Sequence, residues 1–130
     1  MKKLILLFPL MAMLFSCAPE ITINRKIDGT WNLVSINGQT LPNNQSQKVT
    51  FKPDRRNGQV TYTYTNNGVS IDSTGTYSLM KYEYITTSFV DNSKLGYKET
   101  VYTFTKCTET ELLLTEKKSP SNVYYYKKVN

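Results

Sequence analysis

From residue 30 onward the apolar positions recur at every second residue. Trp31 and Leu33 alternate with Asn32 and Val34, Val49 and Phe51 with Lys48, Thr50 and Lys52, and Val60, Tyr62 and Tyr64 with Thr61, Thr63 and Thr65. A period of two puts successive side chains on opposite faces of an extended backbone, so these stretches are expected to be half-buried strands. The same pattern, rich in β-branched and aromatic residues, predicts further strands over 75–80, 82–89, 100–107, 111–117 and 123–129, which makes eight with 30–36, 48–52 and 60–65. No window of a dozen residues after Cys17 combines good helix formers with apolar side chains at i, i+3, i+4 and i+7.

The punctuation suits antiparallel hairpins. Asn37-Gly38, Asn57-Gly58, Asn66-Asn67-Gly68 and Ser119-Pro120-Ser121-Asn122 supply residues that accept positive φ or preset a turn. Two connections are longer, 37–46 and 91–99, and have the composition of surface loops. Eight sequential strands with one apolar face each must hide that face. Closure into an antiparallel barrel does so and removes the sheet edges. A two-sheet β-sandwich of the same strands is the alternative.

The chain begins differently. Lys2 and Lys3 precede an apolar run over 4–15, which ends at Ser16 and Cys17. The run is shorter than the ~20 residues a spanning helix needs, and it contains Pro9, so it reads as a signal segment rather than a permanent anchor. Leu14-Phe15-Ser16-Cys17 resembles the lipobox of bacterial lipoproteins. That resemblance implies cleavage before Cys17, acylation of its thiol, and a location in the bacterial cell envelope. Ala18 in the following position implies the outer membrane. The organisation expected is a signal peptide over 1–16, a lipid-anchored tether over 17–26, and one barrel domain over 27–130.

Composition narrows the chemistry. The chain has no His, which removes imidazole bases and His-ligated metals. Lys2 and Lys3 contribute two of the six net positive charges, and the other lysines are spread along the chain. That distribution reads as a solvated surface, not a nucleic-acid stripe. With Cys17 acylated, Cys107 has no disulfide partner and reads as a half-buried small hydrophobe.

Gly29-Thr30-Trp31-Asn32-Leu33 at the entrance to the first strand, with the Tyr/Thr-rich middle and the closing Tyr124-Tyr125-Tyr126-Lys127-Lys128-Val129, resembles the lipocalin-like small lipoproteins of Gram-negative bacteria. The resemblance implies an eight-stranded antiparallel up-and-down barrel of lipocalin-like type. It further implies structural roles for Gly29, for Trp31 at the closed end, and for Lys127 or Lys128 packed over the Trp31 ring. Lipocalins favour Arg there, and Lys stacks less well on an indole.

Tyr62, Tyr64, Tyr82, Tyr84, Tyr102 and Phe104 are candidates for one interior. Rings with phenol groups suit an amphipathic guest, although eight-stranded barrels are narrow enough for such rings to fill them. Tyr62, Tyr64, Tyr102 and Phe104 are the expected ligand-binding residues, with outward Thr61 and Thr63 as controls. The mouth is expected opposite Trp31, beneath the 37–46 loop. Glu109 and Glu111 lie in a turn and read as exposed carboxylates, and Asp91-Asn92-Ser93 lacks the spacing of a calcium loop. No nucleophile motif or phosphate-cradling Gly loop is present in the sequence. The expected protein is therefore a non-enzymatic, monomeric envelope lipoprotein without cofactor or metal that binds a small hydrophobic or amphipathic ligand. The alternative is a protein-interaction module, such as a hydrolase inhibitor or a subunit of an outer-membrane complex.

Overall fold

The computed structural model describes residues 20–54, 57–80, 83–91 and 96–129. A short helix, α1 (Glu20–Ile27), precedes nine strands: β1 (Gly29–Ile36), β2 (Gln39–Thr40), β3 (Gln45–Asp54), β4 (Asn57–Asn66), β5 (Val69–Met80), β6 (Tyr84–Asp91), β7 (Gly96–Cys107), β8 (Glu111–Glu116) and β9 (Val123–Lys128). Apart from the two-residue β2, a flap on β1, each strand pairs antiparallel with the next, and β9 closes on β1. The result is a closed, eight-stranded, up-and-down barrel, as the alternation predicts, and the sandwich alternative falls away.

The alternation is kept in phase by two bulges. Val34 is the extra residue between Leu33↔Tyr126 and Ser35↔Tyr125, and it lets Ile36 pair with Tyr124. Thr105 is the extra residue between Phe104↔Leu114 and Lys106↔Leu113, and it brings Cys107 opposite buried Leu112. A bulge shifts the facing by one residue, which keeps apolar side chains inward along strongly bent strands. Burial pushes the Cys107 thiol up to about 11, so it behaves as a small hydrophobe.

Turns divide into two kinds. Asn37-Gly38 and Asn67-Gly68 have positive φ at both residues, the signature of type I′ hairpins. Asn57-Gly58, expected as a turn, is instead paired strand: Asn57 faces Asp54 and Ser78, and Gly58 faces Pro53 and Tyr77. Glycine stands there because a Cβ would lie 2.4 Å from the Lys52 carbonyl oxygen and 2.7 Å from the Tyr77 ring. The 91–99 loop also shrinks, because Asp91 pairs with Gly96 and Val90 with Tyr97.

The segment expected as a tether contains α1 from Glu20. Eight residues are too few for an isolated helix, and this one is held by tertiary packing. Ile23, Asn24 and Ile27 are buried in the barrel core beside Trp31, Phe51 and Tyr77. Its buried apolar positions, Ile23 and Ile27, are one helical step of four apart, too short a run for a twelve-residue window. The Tyr77 hydroxyl donates to the Asn24 side-chain oxygen at 2.5 Å inside this core. Tyr77→Phe takes that donor from a buried acceptor, so we expect a loss of about 1–2 kcal/mol in urea unfolding, with the barrel's circular dichroism unchanged.

The far end of α1 is fastened by the residues of the first and last strands. Trp31 is fully buried, and its indole N–H donates to the Ile27 carbonyl at 2.8 Å. The Lys128 ammonium lies 4.6 Å from the centre of the Trp31 ring and donates to the carbonyls of Lys26, at 3.3 Å, and of Asp28. A cation on the last carbonyls of a helix is favourable both as a hydrogen-bond donor and against the helix dipole. Gly29, at φ +113°, passes so close that a Cβ would meet Lys128 Cε at 3.0 Å. Of the two lysines expected over the ring, Lys128 takes the position, because it pairs directly with Trp31 across β1 and β9.

Candidate functional site

The barrel is filled at one end and open at the other. Around α1 the inward side chains of Trp31, Phe51, Val60, Leu79, Ile85 and Leu112 form a continuous core. Toward the opposite end that core gives way to a cavity of about 540 Å³. Tyr62, Phe89, Tyr102, Tyr124 and Tyr126 wall it, with Thr87, Thr100, Gln47, Ser73 and Lys98 adding polar groups.

Each wall residue follows from strand phase. Tyr62 lies two residues beyond buried Val60 on β4, Thr87 and Phe89 follow buried Ile85 on β6, and Tyr124 precedes buried Tyr126 on β9. The rings brace one another: Tyr62 and Phe89 are 5.2 Å apart between centres, and Tyr102 and Tyr124 meet edge to face at 5.9 Å. The Tyr62 and Tyr102 hydroxyls influence each other's protonation across the cavity. The Tyr124 hydroxyl donates to Glu116 Oε1 at 2.7 Å. Burial pushes the phenol groups of Tyr62, Tyr102, Tyr124 and Tyr126 above their ordinary titration range, so all four are protonated donors at neutral pH.

An opening lies between β5 and β6. Their pairing runs from Met80↔Tyr84 to Thr76↔Ser88, whereas the β4–β5 hairpin continues to Asn66↔Val69 and the β6–β7 hairpin to Asp91↔Gly96. The two hairpins part above Thr76. Ser73 and Thr74 border the cavity on one side, and Phe89, Val90 and Lys98 on the other.

The four expected ligand residues are thereby split. Tyr62 and Tyr102 line the cavity. Tyr64 does not, and it is 37% exposed, because the β4–β5 hairpin has run past the rim at that point. Phe104 lies toward the filled end and packs against the core. Tyr84 faces outward, since Ile85, Thr87 and Phe89 take the inner face of β6, and the Lys117 ammonium lies 4.4 Å from its ring centre. The mouth is at the pole opposite Trp31, but no residue of the 37–46 loop lines it. That loop packs Leu41 against the core instead. Tyr124, Tyr126, Phe89 and Lys98 were missed, although the alternation within Tyr124-Tyr125-Tyr126 already puts the outer two on one face.

Several expectations fall outside the described residues: the 1–16 signal segment, Cys17, Ala18, Tyr82, and the Asn92-Ser93 part of the acidic loop. Glu109 is exposed, and Glu111 is ion-paired to Lys106 and accepts from the Tyr125 hydroxyl at 2.9 Å. The Lys106 and Tyr125 hydrogen bonds hold the Glu111 carboxyl below the usual carboxylate range, favouring the carboxylate. A second, outer groove of about 670 Å³ crosses β3 to β7 and is lined mainly by hydroxyl and charged side chains such as Lys52, Thr76, Ser88 and Glu99. Among the described residues, no helix is long and apolar enough to cross a membrane.

The class is thus a closed, eight-stranded antiparallel β-barrel with one filled and one hollow end. A solved structure of a redesigned β-barrel is similar to it, with a TM-score of 0.55 at 15% identity over 83% of this chain and 96% of that barrel. That likeness concerns the fold alone. No protein-family model and none of the curated proteins compared with the chain matches it.

Proposed function

We propose that this chain is a lipocalin-like envelope lipoprotein, anchored through Cys17, whose barrel binds a small amphipathic ligand and catalyses no reaction. The observation that carries the reading is the 540 Å³ cavity walled by four protonated phenols and Phe89, which lies within the size range of small-molecule sites. Gly29, Trp31 and Lys128, gathered at the closed end, support the lipocalin-like assignment. Cys17 stands three residues before Glu20, a reach of about 10 Å at full extension, so an acylated chain holds its α1 pole near the bilayer. The cavity mouth then points away, and its ligand exchanges with the aqueous compartment of the envelope. An outer-membrane location fits Ala18, and the protein acts as a monomer without nucleic acid or cofactor.

The interaction-module reading has one observation of its own. Val69, Ile71, Val90 and Tyr97, on the two hairpins that flank the opening, are exposed apolar residues. Uptake of a neutral fluorescent apolar probe separates the two. Binding by the wild type that weakens about tenfold in Tyr62→Ala and is unchanged in Thr63→Ala is the expected result, with folding checked by circular dichroism. No uptake, together with a protein partner seen by native mass spectrometry of material drawn from the host envelope, would transfer the assignment to the interaction module. Fatty-acid labelling is expected in the wild type and absent in Cys17→Ser.

A further inference from the structure

The polar groups of the cavity are unevenly placed. Lys98 is the one charged residue among the described residues that line it. It lies on β7 opposite Phe89 of β6, at the border of the opening, with Thr100 next below it on the same face. Among the described residues no carboxylate lies within ion-pair distance of its ammonium. Glu116 on β8 does not line the cavity and is held by the Tyr124 hydroxyl at 2.7 Å and the Asn122 amide at 3.4 Å. Its two oxygens are thus engaged on β8, and the charge offered to a guest is that of Lys98 on the β6–β7 wall. Below Lys98 the lining is aromatic.

Resting on the ligand-binding reading above, we infer that the guest is an amphipathic organic oxyanion. Its carboxylate, sulfonate or phosphate group sits on Lys98 at the opening, and its apolar body lies inward on Phe89, Tyr62 and Tyr102. The ammonium supplies a charge-assisted hydrogen bond, and Thr100 and Gln47 supply neutral donors within the same cavity. A cationic amphiphile meets Lys98 at the open end, where its body must enter, and it is disfavoured. A neutral guest gains the rings without the charge.

Two probes with one aromatic body test this: 1-anilinonaphthalene-8-sulfonate, an anion, and uncharged N-phenyl-1-naphthylamine. The wild type is expected to bind the anion about tenfold tighter, and the preference should vanish in Lys98→Gln and persist in Lys98→Arg. Added salt should erode it, and inorganic phosphate at matched ionic strength should displace the anionic probe no better than chloride. Lys98 is exposed, so its variants fold. Equal affinity for both probes, or a preference that survives Lys98→Gln, overturns the oxyanion assignment while leaving the cavity reading in place. Selective displacement by phosphate overturns it in favour of a plain anion site. Failure of the wild type to bind either probe removes the ligand reading and this inference together.

Discussion

Trp31→Ala is expected to lower the unfolding free energy by about 3–5 kcal/mol, the range for removing a large buried aromatic side chain. Three contributions fall together at this position. The ring is fully buried between β3 and β9 partners, and its truncation leaves a void in the filled end of the barrel. Its N–H bond to the Ile27 carbonyl, which fastens the C-terminus of α1, is lost. Lys128 keeps its helix carbonyls but loses the ring beneath its ammonium. Chemical denaturation followed by circular dichroism measures the effect. In the wild type the indole should emit at the blue end of its range and move red on unfolding. Emission at the solvent-exposed wavelength in buffer would contradict the burial.

Gly75→Ala is expected to be nearly as damaging, at about 3 kcal/mol, although alanine is ordinarily better than glycine within a strand. A Cβ at Gly75 would lie 2.2 Å from the Ser88 carbonyl oxygen and 2.8 Å from the Phe89 ring. The first of these is backbone and cannot turn aside. Relieving it means separating β5 from β6 beside the last pair, Thr76↔Ser88, where the two hairpins already begin to part. The same unfolding assay on Gly68→Ala provides the comparison. A Cβ at Gly68 would meet nothing within 4 Å, but the residue has a φ of +80°. Its loss should therefore be limited to the strain of a left-handed residue, about 1 kcal/mol. Equal effects at the two positions would show that crowding at the β5–β6 junction is not the cause. Phe89 lines the cavity, so Gly75→Ala should also weaken probe binding, which Gly68→Ala should not.

Much of this molecule is legible in alternation alone, because strand phase is a local property. Val60 being inward makes Tyr62 inward, and the same step from Tyr126 leads to Tyr124. The closed pole is legible by another route, the resemblance carried by Gly29-Thr30-Trp31, and not by phase. The phase fails where something non-local intervenes. Tyr64 has the phase of Tyr62 but lies past the rim, and only the pairing limits of β5 with β6 define that rim. Phe104 has the phase of Tyr102, but it lies toward the filled end of the barrel.

The sequence by itself therefore determined which stretches run as strands, which face of each is apolar, and that neighbouring strands pair antiparallel. These depend on side-chain period, turn chemistry and the need to hide an apolar face from water. Only the tertiary structure decided that the sheet closes as a barrel and not a sandwich, that 20–27 folds as a helical plug, that Gly58 serves close approach rather than a turn, and how high along each strand the core stops. Those outcomes arise from contacts between residues far apart in the chain, such as Asn24 with Tyr77 and Gly75 with Ser88, whose distances are set by barrel closure. The same closure brings Lys98, Tyr62 and Tyr124 from three separate strands to one cavity, a convergence that no local pattern encodes.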